Sequence, residues 1–173
     1  MLNKPQELYH GSNSNIDGLL RPILETSSPD HIHTKPAVFA TERMDLAALF
    51  MCPTTILHSI GFEQDISYMC VWGTVAEFMK KDSTGFIYVL PPDTFEKVGK
   101  GYEWQSFIDV MPISVKIFPK SLLGMIDNGV QVYFINNNSM FDQIVENKNH
   151  RALILKKLGS ENERLNKNIR KFK

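Results

Sequence analysis

The chain has 173 residues, 43% of them hydrophobic and 22% charged, and its formal net charge is zero. This length fits a single domain with a sizeable core, and this composition excludes a disordered, collagenous or coiled-coil chain. No apolar stretch approaches the roughly 18 residues of a membrane-spanning helix, and the N-terminus lacks the apolar core of a signal peptide. We therefore expect a cytoplasmic protein without a membrane segment.

Apolar runs and helical spacings follow one another along the chain, separated by Gly and Pro residues. In chain order the predicted elements are a strand at 7–10, a helical turn at 16–20, a long irregular loop at 25–36, a strand at 37–40, a helix at 41–51 that begins at Thr41, strands at 69–74, 85–90, 104–110 and 113–118, a helix at 121–128, a strand at 130–135, and helices at 141–158 and 161–173. Strands outnumber core helices, and several follow one another directly, which favours antiparallel pairing. We predict an α+β fold with split, mainly antiparallel sheets and flanking helices.

The charges are distributed unevenly along the chain. Residues 148–173 contain nine Lys or Arg and two Glu, a net charge of +7, which leaves −7 for residues 1–147. We predict a folded domain over 1–147 and a basic helical tail over 148–173. A basic tail on an acidic body is compatible with nucleic-acid binding, and equally with a solvated helix that docks on its own domain.

The first predicted strand ends in the turn His10-Gly11-Ser12. Glycine lets a ligand approach the backbone closely, so that its N–H and C=O can bind an amide or a base edge. The neighbouring imidazole can hydrogen-bond a ribose hydroxyl. The pattern therefore indicates a nucleotide-binding turn, although a strand-ending turn without a ligand has the same residues.

Three further positions could complete such a site. Arg21 precedes the long polar loop, and a guanidinium can hold a phosphate through two hydrogen bonds. Phe39 on the second strand and Phe50 on the following helix provide flat rings that can stack on a heterocycle. The simpler interpretations are that Arg21 is an exposed surface residue and that Phe39 and Phe50 belong to the hydrophobic core.

Glu103 stands between Tyr102 and Trp104 at the start of a predicted strand. Aromatic neighbours desolvate a carboxylate, which is costly unless the group is paired or used in chemistry. Glu103 is therefore the preferred catalytic carboxylate, with Glu77 and Glu96 as alternatives. The simpler interpretation is a solvated glutamate at a strand end.

No other pattern indicates a metal or a further cofactor. His31 and His33 share a strand face, but no third ligand stands at a fixed spacing, so we predict no metal site. Cys52 and Cys70 stand in apolar surroundings and are expected to be buried thiols. The sequence contains no P-loop, no dinucleotide-binding glycine motif and no nucleophile elbow.

Taken in order, these segments resemble the ADP-ribosyltransferase superfamily, in its branch with a His–Tyr–Glu triad that includes the poly(ADP-ribose) polymerases and diphtheria-type toxins. Leu8-Tyr9-His10-Gly11-Ser12 is similar to the first motif of that family. Val38-Phe39-Ala40-Thr41 and the following helix are similar to the second, and the strand that Glu103 opens is similar to the third. The resemblance covers roughly residues 7–120.

The resemblance implies an enzyme that transfers ADP-ribose from NAD to an acceptor and releases nicotinamide. Its catalytic residues would be Glu103, which stabilises the oxocarbenium-like ribose, and His10, which orients the adenosine ribose. The backbone of Gly11 would bind the nicotinamide amide, and Arg21 the pyrophosphate. The full set that the resemblance implies for binding NAD is His10, Gly11, Ser12, Arg21, Phe39 and Phe50.

Two alternatives stay open beside the transferase. The tyrosine of the second motif corresponds here to Val38 or Phe39, neither of which has a hydroxyl, and this favours a non-catalytic nucleotide-binding or interaction module of the same fold. The RNA 2′-phosphotransferases also use this fold, and the basic tail would then bind RNA. The acceptor, whether protein or nucleic acid, is likewise open.

Overall fold

The computed structural model of the protein describes residues 4–24, 35–63 and 66–146. The strands in this part of the chain are β1 (Leu8–Ser12), β2 (Val38–Thr41), β3 (His58–Glu63), β4 (Ile66–Trp72), β5 (Gly85–Leu90), β6 (Glu96–Lys97), β7 (Glu103–Ser106), β8 (Ser114–Phe118) and β9 (Gln131–Ile135). The helices are α1 (Met44–Ala48), α2 (Val75–Lys81), α3 (Ser121–Asp127) and α4 (Asn138–Glu146), and a 3-10 turn at Leu49–Met51 follows α1 directly.

The strands form two sheets. In the larger sheet they lie in the order β6-β7-β2-β1-β5-β8, and every neighbouring pair is antiparallel. In the smaller sheet the order is β3-β4-β9, with β3 and β4 antiparallel and β4 and β9 parallel. The predicted α+β class, with split and mainly antiparallel sheets and flanking helices, is confirmed.

Apolar side chains cover both faces of the larger sheet. On one face, here called the α1 face, Ala47 of α1 and Met125 of α3 share a buried cluster with Ile87 of β5 and Val71 of the smaller sheet. On the opposite face a second cluster contains residues of β1, β2, β5 and β7, which are Leu8, Val38, Ala40, Tyr88, Leu90 and Trp104, together with Leu20, Phe95 and Val110. Both faces are thus buried in part, as expected for the central layer of an α+β domain.

The helix α2, which was not predicted, begins at a capping box. The Thr74 hydroxyl accepts the Glu77 N–H at 3.3 Å, and the Glu77 carboxylate accepts the Thr74 N–H at 2.8 Å. The spacing Thr-x-x-Glu is a helix-start signal in the sequence itself. Strand β3 was also missed, because His58, Ser59 and Gly61 interrupt its apolar residues and weaken the alternation.

Three local predictions are wrong. The turn predicted at His10-Gly11-Ser12 belongs to strand β1, where Gly11 pairs with Ile87 and Ser12 with Phe86, because the antiparallel ladder with β5 continues past His10. The predicted helical turn at 16–20 is extended instead, because Leu20 exchanges two backbone hydrogen bonds of 2.9 Å with Val110 and Gly18 has a left-handed φ of 79°. Thr41 does not begin the helix but ends β2, where its Oγ1 accepts the N–H of Arg43 at 3.2 Å. Helix α1 therefore begins only at Met44.

The C-terminal helices that were predicted are described in part. Helix α4 begins at Asn138 and is described through Glu146, whereas the basic tail over 148–173 lies outside the described residues. Among the helices in the described ranges, none is both long enough and apolar enough to cross a membrane.

Candidate functional site

A row of three residues crosses the middle of the larger sheet. Tyr9 on β1 lies opposite Thr41 on β2, and Thr41 lies opposite Glu103 on β7. Residues directly opposite each other on paired strands share a face, and alternate residues along a strand return to it. Tyr9 packs against the cluster that contains Ala47, so Glu103 belongs to the α1 face.

Gly11 belongs to the same face, two residues beyond Tyr9. A Cβ atom at this position would lie 1.8 Å from the carbonyl oxygen of Ala47 and 3.2 Å from Cβ of Phe50. Only glycine allows β1 and the end of α1 to approach this closely. The ring of Phe50 is 50% exposed although it begins beside this packed backbone. Gly11 and Phe50 thus form one corner of a surface that solvent can reach.

The next row on this face contains Phe39 and Gln105, which lie opposite each other on β2 and β7. Both side chains are half-buried. Gln105 was not predicted as a site residue, but the period of two from Glu103 places it on the same face and could have indicated it. Glu103 is half-buried as well, and its Oε1 is shielded from solvent. On the α1 face, Phe50 thus lies beside the backbone of Gly11, Phe39 lies on the adjacent strand, and Glu103 lies two strands away.

His10 points away from this face. Strand alternation places it opposite Tyr88 of β5, and the centroids of the two rings are 6.3 Å apart. Its Nδ1 lies 2.7 Å from the carbonyl oxygen of Phe39. Because a carbonyl can only accept, Nδ1 carries a proton, and Nε2 is the acceptor nitrogen of the neutral ring. The imidazole therefore lies between β1 and β2 and is directed to the opposite face of the sheet, whereas Glu103 lies on the α1 face.

Ser12 and Arg21 lie at the end of the sheet where β1 stops and β2 begins. The Ser12 hydroxyl donates to the Ser14 carbonyl at 2.8 Å and accepts the Ser14 N–H at 3.0 Å, so it closes a local turn. Arg21 is exposed and stands between Leu20, which pairs with Val110, and Ile23, which pairs with Ala37. Arg21 thus lies on a segment that is held at both sides, next to Leu20, which packs in the cluster on the face opposite the α1 face.

The two alternative carboxylates differ in their surroundings. Glu77 belongs to the capping box of α2, where hydrogen bonds from the Thr74 backbone and side chain lower the pKa of its carboxyl. Glu96 lies on β6 opposite Gln105 and is exposed. Glu77 therefore has a local structural role, and Glu96 is a solvated neighbour of the row that contains Gln105.

The two cysteines are buried free thiols, as expected. Burial, and secondly the negative charge of Asp82, raise the pKa of Cys52 to about 12. Such a thiol is protonated at neutral pH and is not a nucleophile. In the ranges that the structure describes, no three His, Cys, Asp or Glu residues are grouped closely enough to hold a metal ion. His31 and His33 lie outside these ranges.

Comparison of the chain with protein-family models, with curated proteins and with solved structures found no match.

Proposed function

We propose that the protein is an NAD-dependent ADP-ribosyltransferase whose site is the part of the α1 face around Gly11, Phe50 and Glu103. The observation that carries the proposal is the shared face of Gly11 and Glu103, connected through the row from Tyr9 to Thr41. Strands in a sheet are spaced about 4.8 Å apart, and Gly11 lies two residues beyond Tyr9 along β1, so the backbones of Gly11 and Glu103 are about 12 Å apart. This separation is of the order of one nucleoside, with a base at Gly11 and its ribose toward Glu103.

The binding corner suits the nicotinamide end of NAD. The Gly11 backbone is half-buried, and a carboxamide can exchange hydrogen bonds with a glycine backbone that it can approach closely. The exposed ring of Phe50 can stack on the pyridinium, and Phe39 stands across the same face. The exposed Arg21, at the same end of the sheet, is available for the pyrophosphate. The side chain of His10 points away from the α1 face and stays outside this corner.

Glu103 would stabilise the positive charge that develops on the ribose during the reaction. When the bond between the ribose C1′ and the nicotinamide nitrogen breaks, the electron pair leaves with nicotinamide, which becomes neutral, and positive charge develops on the ribose. A half-buried carboxylate near C1′ stabilises this charge more than water would. The acceptor then forms a bond to C1′ and loses its proton. With NAD as substrate, the proposal places the protein in the cytoplasm.

Release of nicotinamide from NAD by the purified protein tests the proposal, in the presence and absence of protein and nucleic-acid acceptors. We expect Glu103→Gln to lower the rate by about 100- to 1,000-fold, the usual cost of losing one preorganised electrostatic group. The matched control is Glu96→Gln, which changes an exposed carboxylate of the neighbouring strand and should leave the rate within about twofold, since exposed side chains away from the reacting atoms contribute little. Absence of nicotinamide from every reaction of the wild-type protein, together with an unchanged melting temperature in NAD, would contradict the proposal.

The non-catalytic module is separated from the transferase by the same experiment. It is favoured by Phe39, which can stack but has no hydroxyl to offer. It predicts that NAD raises the melting temperature without release of nicotinamide, and that Glu103→Gln leaves this stabilisation unchanged.

A further inference from the structure

A second group of polar residues stands next to Glu103 and has no part in the site described so far. Arg43, the last residue before α1, donates from Nε to Oδ1 of Asp45 at 3.0 Å and from Nη2 to Oδ2 at 2.7 Å. Ser67 of β4 donates its hydroxyl to the same carboxylate. A guanidinium paired with both oxygens of a carboxylate is held in position and in plane.

Two aromatic rings complete the surroundings of Arg43. Its guanidinium carbon lies 4.6 Å from the ring centroid of Phe62 on β3 and 5.3 Å from that of Tyr102. The two rings meet edge to face, with their centroids 5.2 Å apart. A planar, weakly hydrated cation on aromatic faces is a favourable arrangement that a lysine cannot reproduce in the same geometry. We call Arg43, Asp45, Phe62, Ser67 and Tyr102 the Arg43 cluster.

The Arg43 cluster connects the two sheets at the start of β7. Phe62 and Ser67 belong to the smaller sheet, whereas Tyr102 directly precedes Glu103 in the larger one. The backbone N–H of Arg43 donates to Oγ1 of Thr41, the residue that lies opposite Glu103. Glu103 is thus flanked by the cluster along its own strand and across the strand pair.

The charge of the cluster is stable around neutral pH. Burial opposes ionisation of Asp45, but the hydrogen bonds from Arg43 and Ser67 outweigh it and lower the pKa of this carboxyl. Arginine is always charged in proteins. The ion pair is therefore complete at every pH at which an NAD-dependent reaction would be measured.

We propose that Arg43 is a positioning residue for Glu103. The guanidinium holds Tyr102 from the side of the smaller sheet, and Tyr102 fixes the backbone from which the Glu103 carboxylate reaches toward the ribose. The inference rests on the proposed function, in which Glu103 stabilises the charge on C1′. Arg43 itself touches neither the ribose nor the nicotinamide.

Kinetics of nicotinamide release separate positioning from general stabilisation. Arg43→Lys keeps the charge but loses the planar pairing and stacking, and we expect kcat to fall by about 10- to 100-fold, since a displacement of about 1 Å in a reacting group has this effect. KM for NAD should stay within about threefold of the wild-type value, because the nicotinamide corner at Gly11 and Phe50 is not changed. Arg43→Ala should behave like Arg43→Lys.

The control variant is Lys97→Met. The Lys97 side chain has the same 22% exposure as that of Arg43 and pairs with Glu42 at 3.1 Å, but its aromatic contact is Trp104, beyond Glu103 along the strand. It should leave kcat within about twofold of the wild-type value, since its partly exposed ion pair is with Glu42 and not with the Arg43 cluster.

Hydrogen exchange of the backbone amides at 102–106 gives a readout that needs no enzyme activity. Arg43→Lys and Arg43→Ala should accelerate exchange there, with unchanged exchange in β5 and β9. Unchanged exchange at 102–106, or accelerated exchange with wild-type kcat, overturns the positioning role, as does an equal loss in Lys97→Met. If Arg43→Ala does not fold, Arg43→Lys decides. If the wild-type protein releases no nicotinamide, the proposed function and the catalytic consequence of Arg43 fail, while exchange still decides whether Arg43 holds the start of β7.

Discussion

Nδ1 of His10 lies 2.7 Å from the carbonyl oxygen of Phe39, across the seam between β1 and β2. The two strands pair at one position only, Tyr9 opposite Thr41. Beyond that pair, the imidazole donates to the Phe39 carbonyl the hydrogen bond that a backbone N–H of β1 would donate in a regular antiparallel pair. His10 therefore has a structural role, because its side chain joins the two strands.

Substitution of His10 should reveal how much this hydrogen bond contributes to stability. We expect His10→Ala to lower the free energy of unfolding by about 1 to 2 kcal/mol, because a half-buried carbonyl loses its donor. His10→Asn should lose less than half of this amount, since the asparagine amide nitrogen occupies nearly the place of Nδ1. Urea denaturation of the three proteins measures the difference.

Equal destabilisation by His10→Ala and His10→Asn would show that the hydrogen bond to Phe39 contributes nothing to stability.

Gly11→Ala should strongly destabilise the protein. The new methyl group would lie 1.8 Å from the Ala47 carbonyl oxygen, a backbone atom that moves only if α1 moves. Overpacking of this kind typically costs about 1 to 3 kcal/mol, and a backbone clash is at the upper end. Denaturant unfolding measures the cost.

Gly101→Ala is the matched control for this substitution. No heavy atom lies within 4 Å of its added Cβ, and its φ is outside the left-handed region. Its effect should stay within about 0.5 kcal/mol. Similar stabilities of the two alanine variants would contradict the close packing of β1 against α1.

We expect the folded protein to lose stability in alkaline solution because of Cys52. Its pKa in the folded protein is raised to about 12, from an ordinary value of 9.0, first by burial and then by Asp82. Between these values the unfolded chain loses the thiol proton and the folded protein keeps it, so the stabilisation is complete below pH 9 and is lost as the pH rises toward 12. The slope approaches about 1.4 kcal/mol per pH unit for one group.

Urea unfolding at pH 8 and pH 10 checks this expectation in the wild-type protein and in Cys52→Ala. The decrease between the two pH values should be smaller in the variant by about 1 kcal/mol, following the same linkage. An identical decrease in both proteins would mean that the Cys52 thiol ionises as readily in the folded protein as in the unfolded chain.

Local sequence patterns determined several elements and the fold class. Strand β5 has the predicted bounds, 85–90, because a continuous apolar run begins after turn residues and ends at Pro91, which cannot continue a ladder. The order of strands and helices likewise determined the α+β class. These features depend on residues that are close together in the chain.

Tertiary structure alone decided which of these elements became neighbours. Alternation predicts that Ile113, Val115 and Ile117 share a face, but all three are exposed, because β8 lies at the edge of the larger sheet in the described part of the chain. The period of two along β7 likewise implies that Glu103 and Gln105 share a face, without indicating what covers it.

The contact between Arg43 and Tyr102 is the clearest case of this division. The residues are 59 positions apart in the chain, and no local pattern in either segment indicates that they meet. Strand pairing joins distant segments through backbone groups that every residue carries, so the partner of a strand is selected by the packing of the whole domain. The sequence by itself indicated Gly11 and Glu103 as candidates, and the packing of the two sheets decided that they share a face and that Arg43 contacts Tyr102, the residue before Glu103.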